Sequence, residues 1–157
     1  MTPQQLTTLK AAILAETNAE FVEARTNGQT SLMAAFYNAE AVPAYYVWRK
    51  SYTPDLIASA IVAGITQLDA LTASKRDSLL WWADRSHDAS LAQTRAAIND
   101  LCGSQNTLKN AILDGSKRKV TRAEQLYATG TGSLAAPGVP GFDGTLGEQD
   151  IGAALEA

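Results

Sequence analysis

Cys102 and His87 are the only cysteine and the only histidine in the chain, and a thiolate nucleophile beside an imidazole base is the first chemistry such a pair could do. Cys102 follows Leu101 at an apolar position of a predicted helix, and no Gly-x-Ser-x-Gly occurs, so packing is the simpler role for the thiol. One cysteine excludes an internal disulfide and a multi-cysteine zinc site, and one histidine excludes every motif built on paired histidines. Asp84 and Asp88 stand four apart around Arg85, but a solvated loop and a helix cap explain them with fewer assumptions than acid–base work does. Gly130-Thr131-Gly132 lacks the lysine of a phosphate-cradling loop, and no strand precedes it. The expectation is a protein that is not an enzyme, with no catalytic residues, no cofactor and no metal.

The densest positive cluster is Lys117, Arg118 and Lys119 with Arg122. At about 100° per residue along a helix, Arg118 and Arg122 share a flank, Lys117 points elsewhere and Lys119 lies near the apolar stripe, so the four form no single face. Thirteen Lys and Arg against sixteen Asp and Glu give a net charge of −3, which favours a solvated helix or ion pairing over DNA contact. Tyr45, Tyr46, Trp48 and Tyr52 with Arg49 and Lys50 could stack on bases, although core or interface packing is the more economical reading. The neighbours Trp81 and Trp82 point about 100° apart on a helix, one toward a core and the other toward a border or subunit contact.

These residues must be positioned by a chain of 157 residues, 46% apolar and 18% charged, which is long enough to bury a core and too short for two ordinary domains and a linker. The pattern is helical. Thr2-Pro3 with Gln5 is a capped helix start, and Leu6, Leu9, Ile13 and Leu14 follow on one stripe. Asn27-Gly28 supplies a turn, Thr30 or Ser31 can cap a short helix ending at Asn38, and the β-formers of residues 42–48 predict an extended segment. Thr53-Pro54 starts the longest apolar helix, through Leu71, and its polar interruptions keep it from spanning a membrane. The N-terminus shows no basic stretch before an apolar run, so a soluble, untargeted chain is expected. Thr72 and Asp88 can cap two further helices, the second stopped by Gly103, and a last helical stretch covers residues 105–128, with Gly115-Ser116 as a point of division.

After residue 128 the composition changes. Residues 129–157 hold seven of the eleven glycines, two of the five prolines, four carboxylates and no Lys or Arg. By itself such a stretch cannot offset its ordering entropy of roughly 1–2 kcal/mol per residue. The expected fold is therefore mainly α: a small helical bundle over residues 1–128 with one extended segment, and a long Gly/Pro-rich C-terminal arm over 129–157 with a short terminal helix. Leu134, Val139, Phe142, Leu146, Ile151 and Leu155 are spaced along the arm as anchors for a partner's groove or sheet.

Three strings, Met33-Ala34-Ala35-Phe36-Tyr37-Asn38, Val42-Pro43-Ala44-Tyr45-Tyr46-Val47-Trp48-Arg49 and Arg122-Ala123-Glu124-Gln125-Leu126-Tyr127-Ala128-Thr129-Gly130-Thr131-Gly132-Ser133, are the first carriers of a resemblance. With Pro137-Gly138 and Phe142-Asp143-Gly144-Thr145-Leu146 behind them, they resemble small virion proteins of tailed bacteriophages. The architecture looks like that of helical head-to-tail adaptors, which form a ring under the portal and grip it with a C-terminal extension. The resemblance implies a virion protein made in the host cytoplasm and placed at the head–tail junction. Its partners would be the portal and the tail or neck proteins, in a homo-oligomeric ring, typically of twelve copies, with packaged DNA passing through the channel and no membrane involved. In that setting Lys117, Arg118, Lys119 and Arg122 would line the channel or pair with an acidic neighbouring subunit. Some similar adaptors cleave cell wall, but no acid pair here argues for it. The alternatives are a neck, tail-terminator or capsid-associated protein of the same particle, or a helical protein-binding module outside any virion.

Overall fold

The computed structural model describes residues 1–157 and is mainly helical. Ten helices, α1 (Pro3–Ala15), α2 (Ala19–Thr26), α3 (Thr30–Asn38), α4 (Pro54–Ala63), α5 (Ile65–Leu68), α6 (Ala73–Ala83), α7 (Ala92–Cys102), α8 (Asn106–Gly115), α9 (Arg122–Leu126) and α10 (Glu148–Glu156), accompany a two-stranded ribbon, β1 (Tyr46–Trp48) with β2 (Lys117–Lys119). No helix is long and apolar enough to cross a membrane. The chain divides into two compact units, elsewhere than at the expected boundary of 128/129: unit 1 is Met1–Tyr45 with Lys119–Ala157, and unit 2 is Tyr46–Arg118.

In unit 1, α1 opens with the expected capping box of Thr2 and Gln5 and buries Leu9 and Ile13. Leu14, expected on the same stripe, is exposed. The chain then breaks where no break was expected: Glu16 caps α1 at its C-terminus, and the Asn18 side chain accepts the Phe21 amide to start α2. Gly28 takes the expected positive φ, but neither Thr30 nor Ser31 caps α3, whose N-cap is Gln29. Phe21, Met33 and Tyr37 form the centre of the core with Leu9 and Ile13.

Residues 129–157 are not a free arm but part of this unit. Leu146, Ile151 and Ala154 are buried in its core, and α10 packs on α1 and α3. The side chain of Asn38 clasps the backbone of Leu146, donating to its carbonyl and accepting from its amide, both at 2.8 Å. Glu124 joins the closure by accepting the Thr121 and Gly144 amides. The entropy argument against order applied to the segment alone; here its apolar residues are buried against helices made from residues 1–38.

In unit 2, Ile57, Leu79, Ile98, Leu108 and Ile112 pack around Tyr52, whose hydroxyl donates to the Ile112 carbonyl at 3.0 Å. The helix expected to run unbroken through Leu71 stops at Gly64, where α8 passes so close that a Cβ would stand 2.6 Å from the Cα of Leu108. Thr72 caps α6 as expected. Asp88 does not cap α7, whose N-cap is Leu91; its carboxylate instead takes the Ser90 amide and hydroxyl in a turn. The last stretch is also corrected, because β2 separates α8 from α9 and the Lys117-Arg118-Lys119 cluster lies on a strand. Arg49 donates its amide to the Ser116 carbonyl beside the ribbon.

Candidate functional site

A groove of about 550 Å³ opens on unit 1. Ala12 and Ala15 of α1, Phe36 and Tyr37 of α3, Gln125 and Leu126 of α9, and Val42 form most of it, and Glu16 and Arg122 are its only charged groups. The α1 wall is low because two alanines face it, and the opposite wall is aromatic. Arg122 donates to the Phe36 carbonyl at 3.0 Å, and its guanidinium carbon lies 4.1 Å from the centre of the Phe36 ring. Two bonds thus fix its position, one of them a cation–π contact. Glu16 is held at the other side by accepting the amides of Thr17 and Asn18. Burial pushes the Tyr37 hydroxyl up to about 12, and the negative charge of Glu16 adds to the rise. Val42 is 78% exposed, a large apolar side chain left in water at the rim.

The three strings singled out in the sequence converge on this groove: Phe36 and Tyr37 belong to the first, Val42 to the second, and Arg122, Gln125 and Leu126 to the third. Ala12, Ala15 and Glu16 were missed. Their signal was faint, since alanines on an amphipathic helix look like filler until a neighbouring helix fails to cover them.

The six arm residues separate. Leu146 and Ile151 are buried, Phe142 and Leu155 are partly buried against the same core, and only Leu134 and Val139 are exposed, at 53% and 42%. This corrects the reading of all six as free anchors, because a side chain in the core of its own unit cannot also enter a partner. The loop carrying Leu134 and Val139 is held shut by a bridge between Thr129 and Val139 and by the Tyr45 hydroxyl donating to the Gly130 carbonyl at 2.8 Å.

The four cations separate as well. Arg122 belongs to the groove, and Lys119 pairs with Glu40 at 2.7 Å in unit 1. In unit 2, Lys117 pairs with Asp114 at 2.8 Å and lies 5.6 Å from the centre of the Trp48 ring, which Arg95 also approaches at 4.8 Å. Arg49 donates to the Gly115 carbonyl at 3.1 Å; burial and then the nearby charge of Arg118 push its pKa down. Helical geometry does not apply to 117–119, so the face argument made for a helix is replaced by strand alternation.

Cys102 is fully buried, and burial raises its thiol pKa. The His87 imidazole stacks on Trp82 with centroids 4.0 Å apart, and its Nε2 lies 2.8 Å from the Trp82 carbonyl oxygen. Trp82 is in the core while Trp81 is 62% exposed, with the Arg85 guanidinium 3.8 Å over its ring. Asp84 ends α6, and no three His, Cys, Asp or Glu side chains gather as metal ligands would. No family model, curated protein or solved structure matches the chain.

Proposed function

We propose that this chain is a structural adaptor in the virion of a tailed bacteriophage, a ring-forming protein that joins the portal to the tail. The observation that carries the reading is the convergence of the three phage-like strings on one open groove, although they are separated by up to about 90 residues in sequence. The groove opens beside the core residue Tyr37, and Val42 stands 78% exposed at its rim, which fits an apolar surface kept for an interaction. The portal-gripping element is narrowed from the whole of residues 129–157 to the closed loop that presents Leu134 and Val139. A loop already held by hydrogen bonds loses less conformational entropy on docking than a mobile arm would.

Deleting residues 129–157 would strip the core of Leu146, Ile151 and Ala154, so the test uses substitutions. The full chain is mixed with purified portal and the mass of the complex is measured, beside a Leu134→Asp/Val139→Asp variant whose fold is checked by circular dichroism. The expected result is a ring on the portal with the natural chain and a loss of at least tenfold in affinity with the variant. If the natural chain fails to bind the portal and is missing from purified particles, the adaptor reading is wrong and a module outside the virion takes its place.

A further inference from the structure

We infer that the groove of unit 1 receives Trp81 from unit 2 of a second copy of this chain. This inference rests on the assembly reading above and names the surfaces through which copies would join.

Trp81 is the largest well-exposed apolar side chain of unit 2, in the last turn of α6 beside Leu80, itself 44% exposed. Its indole is not loose, because Arg85 lies over the ring, and a preorganised Trp–Arg pair is the type of residue pair that dominates protein interfaces. The groove offers what an indole needs: aromatic and aliphatic walls from Phe36, Tyr37, Val42 and Leu126, and a volume of about 550 Å³. Occupation would cover Val42, the most exposed large apolar residue of unit 1. An arriving Arg85 would meet Glu16, the groove's only carboxylate.

Charge selects the second copy's unit 2 as the occupant. Unit 1 has four cationic and nine acidic side chains, a net of −5, whereas unit 2 has nine and seven, a net of +2. Contact between unit 1 of one copy and unit 2 of the next is attractive, and contact between two copies of unit 1 is repulsive. Such a contact uses different surfaces on its two sides, so repetition leads to a closed ring or an open filament and not to a two-fold dimer.

The test is sedimentation of the full chain over a range of concentration and salt. The natural protein should associate beyond a monomer and dissociate as salt rises. Trp81→Ser, which removes the knob, and Ala15→Trp, which fills the groove from an exposed helix end, should each weaken association by about thirtyfold or more. Glu16→Lys and Arg85→Glu should each weaken it, and the double variant should recover most of the loss. A natural chain that stays monomeric overturns the contact, as does association that ignores both Trp81→Ser and Ala15→Trp. A monomer that nevertheless binds the portal sinks this contact alone. An oligomer that Trp81→Ser and Ala15→Trp dissolve, yet that never binds the portal, upholds the contact and refutes the adaptor reading.

Discussion

Gly132→Ala is the sharpest perturbation of unit 1, because two separate costs meet at that residue. Its φ is +66°, and a left-handed backbone costs an L-residue about 1–2 kcal/mol. A Cβ there would also run into the Tyr45 ring, meeting its Cε2, Cδ2 and Cζ atoms together. The ring cannot simply withdraw, since its hydroxyl is tied to the Gly130 carbonyl and the Gly138 backbone closes in behind, where an added Cβ would stand 2.8 Å from the same hydroxyl. Overpacking of this kind costs about 1–3 kcal/mol, and losing the hydroxyl bond about 1 kcal/mol more. The sum, about 3–6 kcal/mol, is a large share of the stability of an ordinary domain. Gly28→Ala provides the control, because Gly28 has nearly the same φ, +64°, with nothing within 4 Å of an added Cβ. Urea unfolding followed by circular dichroism should place Gly132→Ala well below Gly28→Ala, and adding Tyr45→Ala to Gly132→Ala should cost less than the two single changes together. Equal losses for the two glycine variants would refute the claim that Gly132 makes room for the Tyr45 ring against the backbone.

Two further outcomes follow from buried titratable groups. The hydroxyls of Tyr37 and Tyr52 are each pushed up to about 12 by burial, with Glu16 adding to the rise at Tyr37. Unfolded phenols ionise near pH ~10, so above that the unfolded chain gives up protons that the folded chain keeps. Stability is therefore fully present below pH ~10 and falls as pH climbs toward 12, by up to about 2–3 kcal/mol per residue. Phenolate absorbance should rise together with the loss of helical signal; ionisation of both residues in an intact fold would contradict their burial. Cys102, fully buried with a raised pKa, should resist alkylation in the native protein and react at once in denaturant. Rapid labelling at neutral pH without denaturant would show that α7 is not packed as described.

Local signals in the chain carried over well. The Thr2-Pro3-Gln5 start, the Thr72 cap, the stop at Gly103, the positive φ at Gly28 and a terminal helix after Gly147 are all decided within four residues of sequence, by hydrogen bonds and backbone sterics that any surroundings would leave in place. The errors lie where a distant segment overrides the local preference. α4 ends at Gly64, a position where Leu108 leaves no room for a side chain, and Lys117-Arg118-Lys119 is extended where it pairs with β1. The groove was half legible: its aromatic and cationic wall lay inside strings already singled out, whereas Ala12 and Ala15 became part of a site only because no side chain came to cover them.

The glycine-rich C-terminal segment divides the two kinds of information most clearly. A mainly helical protein with one cysteine, one histidine, a net charge of −3 and a change in composition at residue 129 could be read from the residues in order. That the segment is part of a core could not, because it depends on which distant helices meet it. Composition measures what a segment can bury within itself, and glycine scores there as flexibility. Once Asn38 clasps Leu146 and Tyr45 lies on Gly132 and Gly138, the same missing Cβ atoms become room for a neighbour, and the ordering entropy is offset by surface that residues far away in the chain supply.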